Sequence, residues 1–126
     1  MIRYTYNSKW KPPAPFVLVT IAHPLSGVEV HDVPAQLDTG ADRTVIPQTI
    51  VETLGLDFSG SLTIGGVGGT VEEMSLYPVS FGIQKLPPQV VEVVAHPDEL
   101  WVLLGRDILN GYRIVLDGPS LALEIG

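Results

Sequence analysis

The sequence predicts a mostly β fold in a single domain, and three observations lead there. The chain has 126 residues, 45% of them apolar, enough for one core and too few for two independent domains of usual size. Its apolar stretches are short and rich in Val, Ile and Leu, which suits strands better than a helical bundle. Thirteen glycines and eleven prolines punctuate those stretches often enough to give many turns.

In chain order, Ile2 to Tyr6 reads as an edge strand. Pro12, Pro13 and Pro15 follow and cannot donate to a sheet ladder, so residues 1–15 form a peripheral or interface arm. Phe16 to Ala22 is a strand, His23 to Gly27 a turn, and Val28 to Leu37 a second strand that runs into Asp38-Thr39-Gly40. Thr44 to Ile46 is a short strand. Pro47 then opens a helix of two turns, because its fixed φ suits a first helical position. Ile50, Val51 and Leu54 line the apolar face of that helix and Gly55 stops it.

Leu62 to Val71 holds four glycines around one valine, Gly65-Gly66-Val67-Gly68-Gly69, with β-formers on both sides. That pattern makes a hairpin with a pliable tip that backbone can approach closely. A plain hairpin turn and a phosphate-binding loop are the competing readings. The second is weak, since no Lys-Ser or Lys-Thr follows and Thr70-Val71 looks like a strand and not a helix start. Leu76 to Ile83 and Gln89 to Ala95 are strands around a Pro87-Pro88 turn. Leu100 to Leu104 is the most continuous apolar run, expected to be buried on both faces, and Gly105 ends it. Arg106 to Asn110 reads as one or two helical turns stopped by Gly111. Arg113 to Leu116 and Leu121 to Ile125 are closing strands around an Asp117-Gly118 turn.

Charge and composition exclude several classes. A formal charge of −7 and a pI near 4.7 leave no basic patch for phosphates, so no nucleic-acid partner is expected. Without cysteine there are no disulfides and no thiolate metal sites. His23, His31 and His96 lack the close spacing of a zinc site, so no metal and no cofactor are expected. No apolar h-region or membrane span is visible. The expectation is a soluble, cytoplasmic protein with no membrane association. A starting Met1 favours a free-standing chain over one cut from a precursor.

Asp38-Thr39-Gly40 is the one motif that carries chemistry. By itself it is also an ordinary turn, with Asp and Thr bonding nearby backbone and Gly accepting a positive φ. Read functionally, a carboxylate on a tight loop behind a buried strand is placed for acid–base chemistry. One carboxylate cannot be proton donor and acceptor at once, and the chain has no internal repeat to supply a second loop. The partner acid has to come from another copy.

Leu37-Asp38-Thr39-Gly40-Ala41-Asp42, then Ile64-Gly65-Gly66-Val67-Gly68-Gly69, then Leu103-Leu104-Gly105-Arg106-Asp107 together resemble the retropepsin-like aspartic proteases, single-domain relatives of pepsin that work as homodimers. The three motifs stand in that family's order and at similar spacing, spanning residues 37–107. The resemblance implies an acid-protease β-barrel with one or two short helices, active as a symmetric homodimer on peptide or protein substrates. It implies that Asp38 is the catalytic carboxylate, that Thr39 bonds across the dimer, and that Gly40 offers its carbonyl to substrate. Ala41 and Asp42 would help bind substrate, with Asp42 paired to Arg106; a helix-start surface charge is the plainer reading of Arg106. Gly65, Gly66, Val67 and Gly68 would form a flap over the substrate. Leu103 and Leu104 would support the catalytic loop from below. Arg43 stands where viral members usually carry an acid, which makes the nearby subsite more basic. The segments before residue 16 and after Gly105 are longer than in compact viral enzymes, whose termini interleave at the dimer interface. A domain of the same fold that binds peptide or protein without cutting it remains the alternative.

Overall fold

The computed structural model describes residues 1–65 and 67–126, with Ile64 and Val67 described by their backbone alone. Along the chain run β1 (Ile2–Thr5), β2 (Phe16–Ala22), β3 (Glu29–Leu37), β4 (Val45–Pro47), α1 (Gln48–Leu54), β5 (Gly60–Gly65), a 3-10 turn (Val67–Gly69), β6 (Val71–Ile83), β7 (Gln89–His96), β8 (Val102–Leu104), α2 (Arg106–Leu109), β9 (Ile114–Asp117) and β10 (Ala122–Ile125). The protein is mostly β.

β2 alternates in burial, with Val17, Val19 and Ile21 facing inward. Against them lie Val79, Phe81 and Ile83 of β6, likewise buried. Each such side chain contributes about 1.5–3 kcal/mol by leaving water. The strands follow the order β2-β3-β8-β4-β7-β6-β5, and β2 also pairs with β6. That extra pairing closes six strands into a barrel and leaves β5 outside the ring, held only by β6. Ile46, Val93, Val102, Leu104 and Ile108 fill the interior. α1 covers one end: Val51 and Leu54 are buried, and Gly55 at φ 60° takes the left-handed cap that ends it.

A separate three-stranded sheet, β1-β10-β9, packs beside the barrel. Ile2, Tyr4 and Ile114 lean on the main core, and Leu123 and Ile125 are fully buried in it. The Tyr4 hydroxyl donates to Gln84, and burial pushes its pKa up. After β1, Asn7 bridges Ala14. Trp10 stacks on Phe16 at 5.8 Å and meets Trp101 edge-on at 4.6 Å, so the arm closes back on the body.

Three expectations need correcting. Leu100 is 82% exposed and β8 begins only at Val102, because Asp98 N–H donates to His96 Nδ1 at 3.0 Å and holds the chain in a turn past it. Leu103 is half-buried, not core, since the short strand presents it outward between Val102 and Leu104. Pro47 closes β4 and caps α1 from outside, with ψ at 140° instead of a helical value.

Candidate active site

β8 is the strand that explains the site. It runs parallel to β3, with Leu37 opposite Leu104, and antiparallel to β4, with Val45 opposite Leu103. The chain therefore leaves β3 on one side of β8 and returns as β4 on the other. Residues 38–44 must arch over the end of β8, where Leu104 passes into Gly105 and α2.

Five hydrogen bonds tie that arch down. Asp38 N–H donates to Leu104 O at 2.9 Å, and Arg106 N–H donates to Ala41 O at 2.9 Å. Gly105 N–H donates to Thr44 Oγ1 at 3.1 Å. Arg106 Nη1 donates to Thr39 O at 2.7 Å, while its Nη2 pairs with Asp42. The Asp42 side chain is 85% exposed, and an exposed ion pair contributes at most about 1 kcal/mol. Arg106 therefore matters chiefly for fixing the position of the loop.

Asp107 and Thr44 close the assembly from below. Thr44 Oγ1 donates to Asp107 Oδ1 at 2.8 Å, and Thr44 N–H reaches both carboxylate oxygens at 3.0 Å. Thr44 is fully buried. Reading the sequence missed both roles; the only available signal was a threonine ending the loop and an acid after Gly105-Arg106, neither decisive. Thr44→Val keeps the shape but strands the Gly105 N–H and one Asp107 lone pair. We expect about 2 kcal/mol of lost stability, read as a shift in urea midpoint without a change of slope.

Asp38 itself is half-buried. Its Oδ1 accepts the Gly40 N–H at 3.1 Å, and its backbone O accepts the Ala41 N–H at 3.1 Å. Its other carboxylate oxygen has no hydrogen-bond partner among the described residues. The neighbouring acids are engaged, Asp42 by Arg106 and Asp107 by Thr44 and the Ile108 N–H at 2.9 Å. Thr39 and Gly40 are exposed beside it.

Next to the loop opens a cleft of about 410 Å³. Gly40, Ala41, Asp42 and Arg43 form one wall, and Leu62, Thr63 and Gly65 of the β5–β6 hairpin form the other. Asp38 does not line it; the acid stands two residues before Gly40 in the same loop. Val45, Leu62 and Val94 give the cleft an apolar base, continuous with buried Met74 and Leu76. The hairpin is in register from Gly60–Leu76 to Gly65–Val71. At its tip Gly68 and Gly69 have φ of 85° and 77°, which only glycine adopts without strain. Gly66 and the Val67 side chain lie outside the described residues. His96 Nε2 faces Glu72 at 3.5 Å, joining the end of β7 to the β6 arm of the hairpin near its tip.

Comparison with known proteins adds the family context. Residues 27–111 match the family described as "gag-polyprotein putative aspartyl protease". The chain is 28% identical to DNA damage-inducible protein 1 of Yarrowia lipolytica over 95% of its own length, and spans 31% of that relative. Its fold superposes on EIAV protease, solved with an inhibitor, with a TM-score of 0.60 and 27% identity, covering 90% of this chain and all of that one. A retropepsin-like aspartic protease from Rickettsia conorii gives a TM-score of 0.67 at 16% identity, covering 98% and 87% of the two chains.

Proposed function

We infer the activity from one premise: the chain belongs to that family of gag-polyprotein aspartyl proteases and has its retropepsin-like fold. The reading is an aspartic endopeptidase that works as a homodimer, each subunit giving one Asp38 to a common site. A single observation supports it most. Each chain offers one carboxylate with an oxygen unpartnered among the described residues, on a loop fastened to the barrel whose next residues, Gly40 to Arg43, line a cleft together with the β5–β6 hairpin.

Two like carboxylates brought within hydrogen-bond reach keep one proton between them, because ionising both costs Coulomb energy. The ionised Asp38 takes a proton from water, whose oxygen bonds to the peptide carbonyl carbon. The protonated Asp38 of the second copy gives its proton to the carbonyl oxygen. The resulting diol collapses as a proton passes to the amide nitrogen and the C–N bond breaks, releasing a carboxylic acid and an amine. Thr39, exposed beside Asp38, would bond across to the other loop. Gly40, Ala41 and Asp42 would bind the substrate backbone, with the hairpin tip from Gly65 to Gly68, including Gly66 and Val67, closing over it.

The apolar cleft base of Val45, Leu62 and Val94 suits apolar side chains near the cut. Arg43 on the wall adds a preference for an acidic one. Arg43→Glu should lower kcat/KM roughly tenfold for peptides with an acidic residue at that subsite and leave neutral peptides near wild type. Cleavage of a mixed peptide library, wild type beside Asp38→Asn, tests the activity, and sedimentation tests the dimer. A chain that stays monomeric and binds peptides uncut would replace this reading with the non-catalytic one.

A further inference from the structure

We propose that His96 and Glu72 form a polar post between the barrel and the β5–β6 hairpin, and that His96 is a positioning residue for that hairpin. Its effect on cleavage deepens the endopeptidase reading above and rests on it. Its effect on the hairpin stands without that reading.

The strand ladder shows where the barrel stops holding the hairpin. β5 pairs with β6 alone, and β6 pairs with β7 from Phe81–Gln89 only as far as Ser75–Ala95. From Ser75 to the tip, β5 and β6 run on as a two-stranded ribbon, which is marginal by itself in water. A contact out there governs how the ribbon sits over the cleft.

Register puts the two side chains on the cleft side. Leu62 and Val94 line the cleft; Leu62 stands opposite Met74 and Val94 opposite Leu76, and the four share one apolar cluster with Val45. Side chains alternate along a strand, so Glu72 shares the face of Met74 and Leu76, and His96 shares the face of Val94. The pair therefore stands at the end of that cluster nearest the tip. His96 is the last residue of β7 and is paired with Pro47 of β4, so its end of the post is fixed to the barrel.

The imidazole is oriented by its other nitrogen. Asp98 N–H donates to Nδ1 at 3.0 Å, so the neutral ring carries its proton on Nε2 and aims it at Glu72. The His96 side chain is 21% exposed and that of Glu72 64%, with 3.5 Å between them. A contact that long, with one member largely in water, is weak. It contrasts with the 2.8 Å bond between Thr44 and Asp107, which fastens a loop for good. Weakness suits a part that has to lift for substrate and settle again.

The test is a double-variant cycle read by amide hydrogen exchange and by peptide cleavage. His96→Asn keeps an acceptor for the Asp98 N–H, in the manner of an Asx turn, and is too short to reach Glu72. Glu72→Ala removes the other end. Each should speed exchange of the hairpin amides from Leu62 to Gly65 and from Val71 to Met74 by about twofold to fivefold, leaving the β2–β3 amides unchanged. Each should also raise KM by about twofold to fivefold with kcat near wild type, since a loosened hairpin costs binding. Combining them should add nothing, because either alone removes the contact. Glu73→Ala, which deletes the same charge on the opposite face, should match wild type.

Hairpin amides that exchange at wild-type rates in both single variants overturn the post. A double variant whose effect is the sum of the singles overturns it too, and so does a Glu73→Ala hairpin as loose as that of Glu72→Ala. Faster exchange with an unchanged KM in a chain that cuts peptides overturns the positioning role. A chain that cuts no peptide defeats the endopeptidase reading, and the exchange cycle still decides the post.

Discussion

Asp38→Asn is expected to remove peptide hydrolysis, lowering kcat/KM by at least about 10³-fold, while thermal stability and self-association stay close to wild type. General acid–base catalysis of this kind is worth about 10² to 10⁴, and here the same change strikes both members of the pair. Asparagine can still accept the Gly40 N–H that Asp38 Oδ1 holds at 3.1 Å. The backbone bond from residue 38 to Leu104 does not involve the side chain at all. The amide keeps the shape and loses the base: it can neither take a proton from water nor carry the shared one.

The measurement that separates chemistry from folding is a melting curve beside the activity assay. An inactive variant that melts with wild type assigns the loss to the carboxylate. Peptide cleavage at wild-type rate by Asp38→Asn would take the residue out of the mechanism and leave the cleft as a binding groove. Mixed subunits sharpen the point. If wild-type and Asp38→Asn chains exchange freely, heterodimers hold one acid each and should also be inactive, so excess variant should depress wild-type activity. Chains that each carried a complete site would show no such effect.

Much of the fold was legible because the strands obey local rules. Phe16 to Ala22 is a run of β-formers legible as a strand, although it is apolar nearly throughout and only the fold shows that Val17, Val19 and Ile21 face inward, and Gly55 marks the end of α1 through the left-handed cap it takes. The Asp38 loop was legible as a motif, yet its support was not. Thr44 and Asp107 are sixty-three residues apart, and only the passage of β8 between β3 and β4 brings them together. Leu100 misled for the opposite reason. Hydrophobicity placed it in the apolar run, whereas the turn that His96 stabilises keeps it in solvent. The separate β1-β10-β9 sheet was likewise hidden, since pairing between the first and last strands leaves no mark in either segment alone.

Gly105→Ala is expected to be the most damaging glycine-to-alanine change among the described residues. Gly105 has φ −87° and ψ 179°, an extended conformation open to any residue, so backbone strain is not the reason. The obstacle is space. A Cβ there would lie 2.5 Å from the carbonyl carbon of Arg43, 2.7 Å from its oxygen and 2.9 Å from Thr44 N. All three are backbone atoms of the arch that carries Asp38, and none can rotate away as a side-chain tip would. Overpacking usually costs about 1–3 kcal/mol, and a clash between two backbones belongs at the upper end or beyond. Relief requires the arch to lift from β8, stretching the Gly105–Thr44 bond and carrying the catalytic loop with it. A displacement of about 1 Å at a catalytic group can cost 10²-fold in rate. Gly105→Ala should therefore lose about 3 kcal/mol in urea unfolding and about 10²-fold in kcat/KM together. Gly118→Ala, where an added Cβ meets nothing within 4 Å, should change neither by a measurable amount. If Gly105→Ala matches that control in both readings, the arch does not rest on β8 as described, and the rigidity assigned to the Asp38 loop has another source.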